Sequence, residues 1–279
     1  MPDLFVNKLT VIDFSYLDSN RGLVGESWQV NVILQGILDD QGMILDFGHV
    51  KKMIKKYIDE NYDHKLIVPI ADKIDINRDE NNNLIINYSL SDGNSITHIS
   101  PSSAVMKIEG KSVSAKICEK AISHGVFPEM PENITNLIIE LVPEKTEDHY
   151  YHYSHGLKNH NGNCQRIAHG HRSKIVIKRN EKRESELEAV WARKFRDIYI
   201  GTHEDLIYEK DGKMAFQYYS SMGKFFLELP SDKCYLIKKE STVENIAQHI
   251  VNELKKENPI DFFQVYAFEG IDKGAISQK

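Results

Sequence analysis

The sequence predicts an α+β protein made of two unequal copies of one unit. Two observations lead there. Segments alternating apolar and polar residues, bounded by Gly, Asn and Asp, are interrupted in each half by stretches with helical spacing. The same order of segments then recurs: Pro101-Ser102-Ser103 with Val105-Met106-Lys107-Ile108 matches Pro230-Ser231-Asp232 with Cys234-Tyr235-Leu236-Ile237. The charged stretch Glu144 to Asp148 marks the join, giving halves at 1–145 and 146–279.

In the first half, Thr10 to Phe14 alternates as a strand and Trp28 to Leu34 as a longer one. Ile37-Leu38-Asp39-Asp40-Gln41-Gly42 reads as a turn, and Met43 to Phe47 is expected to return as the hairpin partner. Val50, Met53, Ile54, Tyr57 and Ile58 recur at helical spacing, an amphipathic helix ending near Asn61. Within 72–100, Asp79 to Asn83 turns a further hairpin, and a helix is expected over about Ser112 to Ser123. In the second half a charged segment, Lys178 to Glu186, stands where the first half has its hairpin. Trp191, Phe195 and Ile198 place a helix that ends at Gly201-Thr202-His203-Glu204, Thr242 to Leu254 places another, and Val265 to Phe268 closes the chain as a strand.

The stretch with the most chemistry is Tyr151 to Ile177. His169-Gly170-His171 opens the strand-like run Ser173 to Ile177. Residues i and i+2 of a strand share a face, so the two imidazoles converge. His155 on a neighbouring strand would complete a three-nitrogen zinc site with one position free, as catalytic zinc requires. The bland alternative is a surface pair of histidines. Cys164, among Asn159, Asn161, Gly162, Asn163 and Gln165, is either a fourth ligand or a reactive thiol on a polar loop. Laying Phe14 to Asp18 over Tyr151 to His155 puts Asp18, Val24 and Glu26 at the corresponding positions of the first half. Those residues are poor replacements for three imidazoles.

A net charge of −6 argues against nucleic acid or a membrane surface as partner. No apolar run approaches the roughly 18 residues of a membrane span. The N-terminal residues carry no charged-then-apolar leader. Cys118, Cys164 and Cys234 are too few and too scattered for a disulfide framework. The expectation is a reduced, cytoplasmic protein.

Tyr151-His152-Tyr153-Ser154-His155-Gly156-Leu157, Cys164 and His169-Gly170-His171 together resemble the zinc and nucleophile segment of the 6-pyruvoyl-tetrahydropterin and 6-carboxytetrahydropterin synthase family. Ser241 to Ala247 resembles that family's Thr/Glu/Asn helix start, and Val265 to Glu269 its last strand, which ends on a pterin-anchoring Glu. The resemblance implies a tandem T-fold (tunnelling fold). Each half would be an antiparallel sheet with two helices on one face, and the halves would oligomerise into a β-barrel as a dimer, trimer or tetramer of chains. It implies a zinc-dependent lyase acting on a small pterin, 7,8-dihydroneopterin triphosphate. Zn2+ would be held by His155, His169 and His171, and Thr242, Glu244 and Glu269 would bind the substrate. Cys164 would be catalytic with Asp63 and His64, an Asp-His pair that the family takes from an adjacent subunit.

The decay of the two copies suits that division. The second half keeps the histidines, Cys164 and the pterin anchors, whereas its own Asp-His position reads as Thr202-His203. The first half keeps Asp63-His64 but has Ser112 and Ser114 where the second has Thr242 and Glu244. One chain then supplies one composite site, completed within the chain or by a neighbour. Lys158, Arg166 and Arg172 are candidates to meet the triphosphate. A non-catalytic zinc or pterin module, and an aldolase-like lyase acting on dihydroneopterin, are the competing readings.

Overall fold

A computed structural model describes residues 3–70 and 74–279. Strand β1 (Asp3–Asp18) turns into β2 (Gly22–Gly36) through Ser19-Asn20-Arg21, a turn held by Asp18, whose carboxylate accepts the N–H groups of Asn20 and Arg21. Along β2, Trp28, Val30, Val32 and Leu34 are buried in alternation, as a sheet with one covered face demands. Helix α1 (Phe47–Asn61) starts at the N-cap Asp46 and buries Val50, Ile54 and Ile58. It leads to β3 (Leu66–Ile70), β4 (Ile74–Arg78), β5 (Leu84–Ser89), β6 (Ser95–Ser100) and β7 (Val105–Glu109). Then come α2 (Ala115–Val126), capped by Ser114, and β8 (Ile134–Pro143). The sheet order is β7-β3-β1-β2-β8, and both helices pack into one core with it.

The second half repeats the plan. β9 (Tyr150–His155), β10 (His169–Arg179) and the short β11 (Lys182–Arg183) precede α3 (Ser185–Lys194). β12 (Ile198–Thr202), β13 (Leu206–Lys210), β14 (Lys213–Ser220), β15 (Gly223–Pro230) and β16 (Cys234–Ile237) follow. The chain ends with α4 (Val243–Glu257), β17 (Phe263–Phe268) and β18 (Gly274–Gln278). Here the order is β16-β12-β9-β10-β17-β18, with β11 on β10. The third sheet, β13-β14-β15-β6-β5-β4, takes three strands from each half and is joined where Phe226, Leu227 and Glu228 pair with Ile99, His98 and Thr97. Leu17, Leu23, Leu66, Ile167, Ala168 and Phe216 share one apolar cluster, so the halves are fused by a sheet and by a core.

The structure corrects four expectations. The half-sheets are mixed, not antiparallel: β3 lies parallel to β1 and β7, and β12 parallel to β9 and β16, because the crossovers through α1 and α3, and those through the strands of the third sheet, return the chain in the same direction. Met43 to Phe47 is no strand; β2 pairs with β1 and β8 instead, and Asp46 is spent on capping α1. The helix placed by Trp191 ends at Lys194, and Ile198 already belongs to β12. Ser114, not Ser112, is the counterpart of Thr242, since each caps the helix after the parallel strand. The hairpin at Asp79 to Asn83 forms as expected; Val265 to Phe268 is a strand but does not close the chain, since β18 follows and pairs with it, and residues 71–73 lie outside the described residues.

Candidate active site

Antiparallel pairing of β9 with β10 sets His155 opposite His169 and Tyr153 opposite His171, so the three histidines share one face of the hairpin. All three are essentially fully buried. His155 Nδ1 donates to the carbonyl of Ser241 at 2.8 Å and His169 Nδ1 to that of Arg166 at 2.9 Å. A carbonyl only accepts, so each ring is fixed as the tautomer with a bare Nε2 lone pair. Those Nε2 atoms, and that of His171, have no hydrogen-bond partner. One ligand nitrogen from each ring lies within 4.8 Å of the others. Burial, reinforced for both rings by neighbouring imidazoles, pushes His155 and His169 well below the ordinary histidine range. Three orphaned, converging nitrogens, two of them on rings that burial keeps neutral, fit a metal ion.

Asp63 and His64 follow α1 and precede β3. His64 has φ 55°, a left-handed conformation in which its N–H donates to the Asp13 carbonyl at 2.6 Å. Its Nδ1 lies 2.6 Å from Asp63 Oδ2, while Asp63 Oδ1 accepts the Asp13 N–H. Cys164, on the single turn Asn163–Gln165, lies beside the ring, with its sulfur within 4.8 Å of ligand nitrogens of His64 and His169. Burial disfavours the charged ring, but hydrogen bonds and charge from Asp63 and Cys164 more than reverse this and raise His64 to about 10. His64, Cys164 and His169 form a second ligand-like group overlapping the first at His169. Cys164 is therefore grouped with the dyad and not with His155 and His171.

Glu269 follows β17 with Oε1 3.9 Å from His171 Nε2, at the edge of the histidine group. Thr242 caps α4, its hydroxyl accepting the Asn245 N–H, and the residue that touches the site there is its neighbour Ser241. Glu244 is exposed in the first turn of α4, and among the described residues no hydrogen bond or ion pair links it to the histidines. The cation candidates already have protein partners. Lys158 pairs with Asp205 and Glu204, Arg166 donates to the carbonyls of Asp63 and His64, and Arg172 donates to the Glu144 carbonyl over the Tyr150 ring.

Strand registers fix how the halves correspond. Ser15 pairs with Leu66 as Ser154 pairs with Tyr199, and those partners pair with Val105 and Cys234. Counting outward, His155, His169 and His171 correspond to Tyr16, Val24 and Glu26, which corrects Asp18 at the first position. His64 corresponds to Asp197, which shares its φ of 55°. His203 is not the counterpart: it sits past the far end of β12, exposed, and Thr202 instead bonds Asp205. Two site residues were missed from sequence, Asp13 and Ser241. The first had a signal, a lone carboxylate within the apolar run Val11 to Phe14.

Fold and site define a tandem α+β protein that brings a buried three-histidine group against a Cys-His-Asp arrangement. The 6-pyruvoyl tetrahydropterin synthase family matches the chain twice, over residues 13–143 and 144–279. The chain belongs to that family, in which both halves are members. Among curated relatives, the 6-carboxy-5,6,7,8-tetrahydropterin synthase of Rickettsia conorii is 54% identical over 35 residues, 12% of this chain and 25% of that protein. The enzyme of the same name from Rickettsia bellii is 49% identical over 35 residues, with the same shares. The match thus spans about a quarter of the length of these relatives. Among solved structures, a catalytic-residue mutant of Plasmodium vivax 6-pyruvoyltetrahydropterin synthase aligns with 52% of this chain and 93% of its own, at 19% identity and TM-score 0.43. The Plasmodium falciparum enzyme aligns with 50% and 90%, at 21% identity and TM-score 0.42. No helix among the described residues is long and apolar enough to cross a membrane.

Proposed function

We propose that the chain is a zinc-dependent pterin synthase acting on 7,8-dihydroneopterin triphosphate, with one composite site per chain. The two functional units are the halves 1–145 and 146–279. The observation that carries the reading is the meeting of three orphaned histidine nitrogens with Cys164 and the Asp63-His64 dyad in one buried place. His155, His169 and His171 would hold Zn2+, which when bound acidifies side-chain hydroxyl groups of the substrate and the C–H beside them.

The chain's own groups do the rest. The Cys164 thiol gives its proton to His64, whose charged form Asp63 steadies through Nδ1, and the resulting thiolate takes a proton from the substrate side chain. The same pair returns a proton at the pterin ring. Glu269 accepts from adjacent pterin N–H groups, as a carboxylate can with both oxygens. Thr242 and Glu244 at the start of α4 form the outer wall of the pterin site. Burial of the histidine group keeps water from competing for the proton being moved. The protein acts in the cytoplasm as a homo-oligomer whose sheets close into a barrel.

The test is incubation of the zinc-loaded protein with 7,8-dihydroneopterin triphosphate and identification of the product by mass spectrometry. A 6-carboxy- or 6-pyruvoyl-tetrahydropterin is expected. Unchanged substrate with a bound pterin would replace this reading with a binding module, and a 6-hydroxymethyl pterin as product would replace it with an aldolase-like lyase.

A further inference from the structure

We infer that Asp13, from the half that has lost its histidines, is the positioning residue for His171 and the point where the metal group and the catalytic dyad are held in register. The inference rests on the metal reading above. Asp13 is 3% exposed, in the middle of β1. Its Oδ1 lies 3.2 Å from His171 Nδ1 and accepts the Ser27 hydroxyl at 2.5 Å, while Oδ2 accepts Lys273 Nζ at 2.8 Å. Its main chain serves the dyad, the N–H donating to Asp63 Oδ1 and the carbonyl accepting the His64 N–H. One residue therefore faces a candidate ligand with its side chain and the dyad with its backbone.

The three histidines differ in who orients them. His155 and His169 are fixed by carbonyls of Ser241 and Arg166, from their own half. For His171 the group beside Nδ1 is a carboxylate from the other half. A carboxylate there selects the tautomer that presents Nε2 and makes that nitrogen a better donor. The metal group is thus complete only when the halves are joined as they are here, a physical reason for a chain to keep a half without ligands. Lys273 belongs to the same turn as Glu269, whose N–H donates to the Lys273 carbonyl, so the Lys273–Asp13 pair also ties the turn carrying Glu269 to the site.

The fold contains its own control. At the corresponding place in the other seam His152 stands for Asp13 and Glu26 for His171, 3.8 Å apart, the residue types exchanged, with Glu26 buried and His152 largely so. Nothing there presents converging imidazoles, so the seam is similar in burial and geometry but lacks the metal group.

The test uses the full chain, stripped of metal by a chelator and titrated with Zn2+ against a chromogenic chelator, and with Co2+ for its absorption spectrum. Asp13→Ala should weaken zinc about 10–100-fold and shift the Co2+ spectrum, with saturating stoichiometry unchanged. Asp13→Asn should lose less, since its amide oxygen can still face Nδ1 across the 3.2 Å gap. Lys273→Met should weaken zinc modestly and add nothing on top of Asp13→Asn, because Lys273 acts through the carboxylate. Glu26→Gln should match the unaltered chain in both affinity and spectrum. If Asp13→Ala does not fold, the Asn and Lys273 variants and their double mutant decide. Wild-type zinc affinity and Co2+ spectrum in folded Asp13→Ala or Asp13→Asn overturn the inference while leaving the metal reading intact. An unaltered chain that takes up no zinc, like His169→Ala/His171→Ala, overturns the metal reading itself.

Discussion

The hydroxyls of Ser15 and Ser154 lie 2.7 Å apart, and that hydrogen bond marks the line about which the two halves correspond. Ser15 stands opposite Gly25 in its hairpin, and Ser154 opposite Gly170 in its own. The hairpins meet there through those two small hydroxyls and bare glycine backbone. A Cβ on Gly170 would fall 2.4 Å from the Tyr153 carbonyl oxygen and 2.7 Å from Gly25 Cα, and one on Gly25 only 1.8 Å from that same oxygen. Gly25→Ala or Gly170→Ala should therefore cost about 1–3 kcal/mol or more, the range for overpacking a filled interior. Denaturant unfolding measures it. A neutral result at both positions would mean that the halves do not meet here in solution.

One zinc per chain is expected, because Tyr16, Val24 and Glu26 offer one phenol, one carboxylate and no imidazole where the other seam has three. Elemental analysis of protein purified without chelator checks it. Two equivalents, or one equivalent surviving in His169→Ala/His171→Ala, would contradict it.

Cys164 belongs with His64, so Cys164→Ala should keep the metal and bind a pterin while losing turnover. Loss of zinc in that variant would move the thiol into the coordination shell.

His64→Ala should abolish turnover with zinc content and oligomer mass unchanged, and His203→Ala should leave activity intact, since it lies beyond the far end of β12. Ligand atoms of His64 and Cys164 lie within 4.8 Å of each other in a single chain. Mixed oligomers of Cys164→Ala and His64→Ala chains should therefore regain no activity; partial recovery would show that the site is completed by a neighbour.

Glu26 gives a pH prediction of definite sign. Burial is the main cause that raises it from 4.5 to about 7, against the Ser27 N–H and the charges of Arg172 and Arg21. The folded chain then binds this proton more tightly than the unfolded one, so its contribution is full below pH 4.5 and is lost as pH rises to about 7. Glu26→Gln should be more stable than the unaltered chain above pH 7, by ~3 kcal/mol at most, and equal to it near pH 4. His152, 3.8 Å from Glu26 and held down to about 4 by burial, works in the opposite direction, and the difference reads Glu26 together with its contact to that ring. Unfolding midpoints across pH 4 to 8 read it, and a variant less stable at pH 8 would refute it.

The sequence by itself determined the local and the periodic. Alternation placed Trp28 to Leu34 in a strand, helical spacing placed Val50 to Ile58 on a buried face, and the i, i+2 rule put His169 and His171 side by side, since each depends on residues close in the chain. The residues themselves also offered His155 and Cys164, the family motifs added Asp63-His64, and the fold gathers them from separate segments. What tertiary structure decided was everything set by register and by contacts across the two halves. Overlaying sequences put Asp18 and His203 at places that strand pairing gives to Tyr16 and Asp197, two and six residues away, because an overlay has no way to see the register that every hydrogen bond in a ladder enforces. The mixed sheets, the shared third sheet, and Asp13 beside His171 arise from segments far apart in sequence, 158 residues in the last case. A buried carboxylate finds its partner in space, and no spacing along a chain records that.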